Sequence, residues 1–121
     1  MGLQESGEMY LESILILNEK MKNVRSIDIC EFMNYSKPSV SRAMSLLKDR
    51  DYVFADKNGY IKLTAKGKEI ALKIYERHTF LTKVLIDLGV DEKTAAEDAC
   101  KIEHDISDES FNAIKEYMRD K

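Results

Sequence analysis

Residues 52–63 narrow the fold more than any other stretch. Tyr52-Val53-Phe54-Ala55 and Tyr60-Ile61-Lys62-Leu63 are aromatic and β-branched runs, with Asp56-Lys57-Asn58-Gly59 between them. Asn-Gly is the strongest short hairpin signal, because both residues tolerate the left-handed backbone that tight turns need. A two-stranded hairpin is not stable alone and must lie against other elements. On both sides of it the chain carries helical periodicity. The expected fold class is therefore mainly α with a small β-hairpin.

Tyr10, Ile14, Leu17 and Met21 recur at helical spacing. They predict a first helix, capped by Ser6 or Gly7 and running to about Lys22. Met9 and Glu12 share a neighbouring face. Asn23-Val24-Arg25 breaks this helix, and Ser26 is expected to cap a short one to about Met33, with Cys30 in the core. After a turn at Asn34-Tyr35, Ser36 caps a third helix with Pro38 in its first turn. It runs to about Arg50, with Val40, Ala43, Leu46 and Leu47 inward and Ser39, Arg42 and Ser45 outward. Beyond the hairpin, Thr64 caps a long helix, Ala65 to about Leu88, that contains His78. Gly89-Val90-Asp91 ends it and opens another that reaches about Asp105. Ser107 begins the last helix, Asp108 to about Arg119, with Phe111, Ile114 and Met118 on one side. Helix, short helix, turn, helix, hairpin, long helix is the order of a winged helix-turn-helix, the hairpin being the wing.

Charge is distributed unevenly. The whole chain of 121 residues carries −3, but residues 1–19 carry −4, residues 20–77 carry +6 and residues 78–121 carry −5. A basic middle between acidic ends suits a segment that meets a polyanion. No apolar run approaches the ~20 residues that span a bilayer, and no signal peptide is visible. Two cysteines make no disulfide framework. The expected location is the cytoplasm, with no membrane partner.

Two groups of residues point to chemistry. Cys100, Glu103 and His104 fall at i, i+3 and i+4, so a helix sets thiol, carboxylate and imidazole side by side on what is expected to be an exposed face. That donor set suits a divalent transition ion. At the start of the third helix, Ser36, Lys37, Pro38, Ser39 and Arg42 are short polar or cationic groups of the kind that meet base edges. Pro38 can touch a thymine methyl and Arg42 can reach guanine O6 and N7. Lys57 at the wing tip, with Lys62, Lys66 and Lys68 nearby, is placed to meet phosphates.

These segments resemble the diphtheria toxin repressor family of metal-dependent transcriptional regulators, with its iron- and manganese-responsive branches. The resemblance rests on Glu8-Met9-Tyr10-Leu11, on Ser36 to Ser41, on Leu63-Thr64-Ala65-Lys66-Gly67 and on Cys100 to Ser107, and it covers essentially the whole chain. It implies a winged helix-turn-helix over residues 1–72, followed by a helical metal-binding and dimerisation region over 73–121. It also implies a homodimer that binds double-stranded operator DNA when loaded with a divalent transition metal. By position, the metal ligands fall on Met9, Glu12, His78, Cys100, Glu103 and His104. Met9, Cys100, Glu103 and His104 match the iron branch. Glu12 and His78 match the manganese branch, which carries carboxylates where this chain has Met9 and Cys100.

Departures are also visible. Two ancillary positions of the iron branch fall on Thr82 and Ala96, which are not ligand types, and the C-terminal SH3-like domain of longer members is not expected here. Sulfur donors favour Fe2+, and in vitro Co2+, Ni2+ or Zn2+, over Mn2+. Fe2+ is the expected metal, with Mn2+ second. The chief rival is a winged-helix regulator with another effector or none. An enzyme is not expected, since both histidines are committed to the metal set and no spare Ser/His/Asp set exists.

Overall fold

The computed structural model describes residues 5–119. Six helices and one hairpin follow one another: α1 (Glu5–Lys20), α2 (Ser26–Met33), α3 (Lys37–Asp49), β1 (Val53–Ala55), β2 (Ile61–Leu63), α4 (Ala65–Asp87), α5 (Glu92–Glu103) and α6 (Asp108–Arg119). The chain divides into two compact units, Met1–Lys73 and Ile74–Lys121. Among the described residues no helix is long and apolar enough to cross a membrane.

The first unit is built around α1. Tyr10, Leu11, Ile14, Leu15 and Leu17 are buried, a stripe wider than the sequence spacing of Tyr10, Ile14 and Leu17 implied. Met21 lies beyond the helix end and is exposed. Ser6 and Gly7 lie inside α1 rather than capping it. Val24, Ile29, Cys30, Val40, Met44 and Leu47 close the same core. The N-cap of α2 is Arg25, not Ser26: the Asp28 carboxylate accepts from the Arg25 amide at 2.8 Å. Asn34 ends α2 at φ +59°, and the Tyr35 amide reaches back to the Cys30 carbonyl at 3.1 Å. That is a left-handed helix end, which asparagine tolerates well. Tyr35 stands edge-on to Tyr10, their ring centres 5.8 Å apart. Burial, reinforced by Tyr35 and Cys30, raises the Tyr10 phenol above its ordinary range.

On α3 the inward stripe is Val40, Met44 and Leu47, at i, i+4 and i+7. Leu46, expected inside, is 49% exposed. It sits one residue, about 100°, off that stripe.

The hairpin is antiparallel, pairing Val53 with Leu63, Phe54 with Lys62 and Ala55 with Ile61. Asp56 organises its tip, its carboxylate accepting from the amides of Asn58 at 2.9 Å and Tyr60 at 3.0 Å. Gly59 takes φ +81° there. Two contacts anchor the hairpin: the Ile61 amide donates to the Val24 carbonyl at 2.7 Å, and Thr64 Oγ1 donates to the Asp51 carbonyl at 2.7 Å. The same Thr64 oxygen accepts from the Gly67 amide at 3.0 Å, the cap expected at the start of α4. A Cβ on Gly67 would lie 2.0 Å from the Tyr52 carbonyl oxygen, so only glycine fits this close approach.

The second unit has a small core of Leu81, Ala99 and Phe111, with Phe80 and Ile106 against it. Gly89, at φ +104°, ends α4: the Gly89 amide bonds to Ile86 and the Val90 amide to Leu85, both at 2.9 Å. These paired bonds form a Schellman end. Phe111 is consumed by the unit's own core, while Ile114 and Met118 are half-buried.

Candidate metal centre and nucleic-acid interface

Asp91 starts α5 by accepting from the amides of Lys93 and Thr94 at 3.1 and 3.3 Å. The helix then runs through good helix formers and ends at Glu103, with His104 as its C-cap. It stops two residues before the expected end. Cys100, Glu103 and His104 therefore occupy its last turn, where the helix dipole favours positive charge. Their ligand atoms lie within 4.8 Å of one another. The face is not exposed as expected. Glu103 has 0% exposure, the His104 side chain is buried and Cys100 is half-buried.

The reason for this burial is α4. His78 Nδ1 stands 2.8 Å from Glu103 Oε2. The other oxygen, Oε1, is buried, makes no hydrogen bond among the described residues and stands 3.4 Å from His104 Nε2. A carboxylate removed from water needs compensating neighbours. Here it has an imidazole at each oxygen and a thiol close by. Thiol, carboxylate and two imidazoles are the donor types of a divalent transition-metal site, and the buried Oε1 is a lone pair placed to be used. The residues of the second unit fit a divalent transition ion, without choosing among such ions.

Met9 and Glu12 lie three residues apart on α1, both half-buried, in the first unit. The Met9 carbonyl accepts from Ser13 Oγ at 2.8 Å. Thr82 uses its hydroxyl within α4, donating to the His78 carbonyl at 2.7 Å. One residue beside the centre was missed in the sequence. Arg77 is 5% exposed and donates to the carbonyl oxygens of Glu103 and Ile106. An arginine immediately before a candidate ligand histidine, on the α4 positions that repeat as Ile74, Arg77 and Leu81, was the available signal.

In the first unit, Ser36 caps α3. Its Oγ accepts from the Ser39 amide at 3.3 Å and donates to Ser39 Oγ at 2.9 Å. Pro38 occupies the first turn, where its missing N–H costs nothing. Lys37, Pro38 and Arg42 are exposed and Ser39 is half-buried. Lys57 is exposed at the hairpin tip. Lys66 is held back, with Nζ donating to the Arg50 carbonyl at 3.2 Å and lying 4.4 Å over the Tyr52 ring. Lys62 and Lys68 line an open groove of about 610 Å3 together with Lys22. Arg25 is a further cation beside the wing: its guanidinium donates to the Tyr60 hydroxyl at 3.3 Å, which raises its pKa.

The geometry agrees with comparison to known proteins. The model of the iron dependent repressor N-terminal DNA binding domain matches residues 2–64. The model of the iron dependent repressor metal binding and dimerisation domain matches residues 64–120. A helix-turn-helix transcriptional regulator of Methanocaldococcus jannaschii is 36% identical over 118 residues, covering 96% of this chain and 94% of that protein. The regulator MntR of Bacillus subtilis is 32% identical over 114 residues, covering 94% and 80%. Among solved structures, the manganese regulator SloR has a TM-score of 0.84 at 28% identity, over 98% of this chain and 55% of that one. IdeR of T. acidophilum has the same fold, with a TM-score of 0.79 at 23% identity, over 98% of this chain and 55% of that one. With a winged-helix fold, a matching DNA-binding model and a matching metal-binding model, the chain belongs to the iron-dependent repressor family of metal-dependent transcriptional regulators, which are not enzymes.

Proposed function

We propose that this repressor binds double-stranded operator DNA as a homodimer when loaded with Fe2+, with Mn2+ second, and that it does so in the cytoplasm. In this reading residues 1–72 meet DNA, through Ser36, Lys37, Pro38, Ser39 and Arg42 at bases and backbone and Lys57 at phosphate. Residues 73–121 carry the dimer interface and most of the metal site. The ligands are His78, Cys100, Glu103 and His104, joined by Met9 and Glu12 from α1.

The observation that supports this most is Glu103, a fully buried carboxylate between His78 and His104 with the Cys100 thiol in reach. When bound, the ion would supply positive charge beside Glu103, and His78, Cys100, Glu103 and His104 would hold it. The protein does the rest. Ligands must be deprotonated to hold an ion, so metal affinity falls as pH falls. Met9 and Glu12 lie on α1, whose core residues also pack under α3, so restraint of α1 bears on the DNA reader. A dimer reads two half-sites only when its reading helices stand about one turn of DNA apart. Loading raises the population with that spacing.

Metal choice follows from the donors. Mn2+ binds most weakly at almost any site and Fe2+ only slightly better, so ligand type must discriminate. Sulfur at Cys100 and Met9 favours Fe2+, whereas Glu12 and His78 are the donors shared with the manganese branch. Anaerobic operator binding titrated separately with Fe2+ and Mn2+, with chelator as control, tests this. Half-maximal binding is expected at lower Fe2+ than Mn2+, from a species that sediments as a dimer. An equal or better response to Mn2+ defeats the choice of metal. Operator binding that ignores chelator favours the rival, a winged-helix regulator with another effector or none.

A further inference from the structure

We infer that Arg77 is a positioning residue that sets the last turn of α5 so that Glu103 and His104 present their ligand atoms together. The inference rests on the metal-centre reading above.

Consecutive residues of α4 grip the two ends of one residue of α5. His78 meets the Glu103 side chain at 2.8 Å, and Arg77 Nη1 donates to the Glu103 main-chain carbonyl at 3.0 Å. The same Nη1 donates to the Ile106 carbonyl at 2.7 Å, and Nη2 pairs with the Asp108 carboxylate. Arg77 thus bridges the end of α5, the turn after it and the first turn of α6.

This arrangement answers a problem set by the backbone. The last carbonyls of a helix have no partner within it, and a buried one must find a partner elsewhere. A cation there also complements the negative end of the dipole. Glu103 is the last residue of α5 and is fully buried. Its carbonyl is supplied from outside the helix, by a guanidinium that is itself buried. The guanidinium has a fork of donors, so it can serve two carbonyls and a carboxylate at once, which an ammonium on a flexible stem does poorly. The Phe111 ring, 5.4 Å from the guanidinium carbon, keeps it in place.

The consequence concerns affinity. Neighbours that orient metal ligands, without touching the ion, typically contribute 10–100-fold to metal binding. Without Arg77 the Glu103 and Ile106 carbonyls lose their guanidinium donor, the turn keeps only its backbone bonds to Ile102, and the donors of Cys100, Glu103 and His104 are held less firmly before binding.

The test uses Co2+ alone, followed by its visible absorption, on the full chain carrying Arg77→Gln, Arg77→Lys, Asp108→Asn or His104→Ala. The expected result is about a 10-fold weaker Co2+ affinity for Arg77→Gln. Partial rescue is expected by lysine, with metal-free circular dichroism retained in both. The Asp108 side chain is 65% exposed, so Asp108→Asn is expected to fold even where Arg77→Gln does not, and it should weaken Co2+ in the same direction. A merely structural arginine would lower the metal-free melting temperature while leaving Co2+ affinity unchanged below that melt. That outcome overturns the inference, as does unchanged affinity in Asp108→Asn if Arg77→Gln does not fold. If His104→Ala binds Co2+ like the parent protein, the metal-centre reading itself falls and takes this inference with it. Loss in His104→Ala with full affinity in Arg77→Gln sinks only the role of Arg77.

Discussion

At the scale of single residues, the buried carboxylate decides how the centre should be probed. Glu103→Ala would leave a void and strip His78 of its 2.8 Å partner, so instability would mask any loss of metal. Glu103→Gln keeps the shape and removes the charge. We expect Glu103→Gln and His104→Ala to retain helical circular dichroism and to lose metal-dependent operator binding in a gel-shift assay. Unchanged metal dependence in both would overturn the ligand assignment. Gly67 offers a second prediction of a different kind. A Cβ added there would meet the Tyr52 carbonyl oxygen at 2.0 Å, so Gly67→Ala must push the wing junction apart. The expected cost is about 1–3 kcal/mol, as for other overpacked sites, read as a lower urea midpoint. A variant as stable as the parent would show that the junction yields freely.

At the scale of elements, α3 and the wing should fail in distinguishable ways. Arg42 stands exposed on α3, three residues past the Ser36–Ser39 cap, whereas Lys57 stands at the hairpin tip. Arg42→Ala should cost ~1–3 kcal/mol and relax preference at one base pair. Lys57→Ala should weaken all sequences alike and reduce the salt slope by about one. Binding measured on operator and scrambled duplexes across salt concentrations separates the two. Equal weakening on all sequences for Arg42→Ala would remove it from the base-reading set. The elements themselves were largely legible, because their signals are local. Asn58-Gly59 marked the hairpin, Ser36 and Pro38 marked the start of α3, and Thr64 marked the start of α4. The failures share a cause. Leu46 is apolar but misses the stripe of Val40, Met44 and Leu47, and Ser26 lost the cap of α2 to an Arg25–Asp28 exchange. The spacing of Cys100, Glu103 and His104 was visible, but their burial was not. It depends on Arg77 and His78, more than twenty residues earlier, and periodicity carries no information over that distance.

At the scale of the whole molecule, the two units hold very different amounts of core. Residues 1–73 enclose a continuous cluster from Tyr10 to Ala71. Among the described residues, those of 74–121 bury Ile74, Leu81, Ala95, Ala99 and Phe111, with Phe80 and Ile106 packed against the cluster of Leu81, Ala99 and Phe111. A folded unit that small has little apolar burial to set against chain entropy, and small domains commonly need a metal or a partner subunit to be stable. Heating should therefore give two steps, the residues 74–121 melting first. A ligand that binds only the folded form adds RT ln(1 + [L]/Kd), about 2.7 kcal/mol at a hundredfold excess over Kd. The first step should climb with divalent ion concentration and the second should stay put. A single melt, unmoved by metal, would contradict this. On this prediction cooperativity itself would be the reporter: ion concentration would be registered first as order in residues 74–121, within the region that the metal-binding domain model matches.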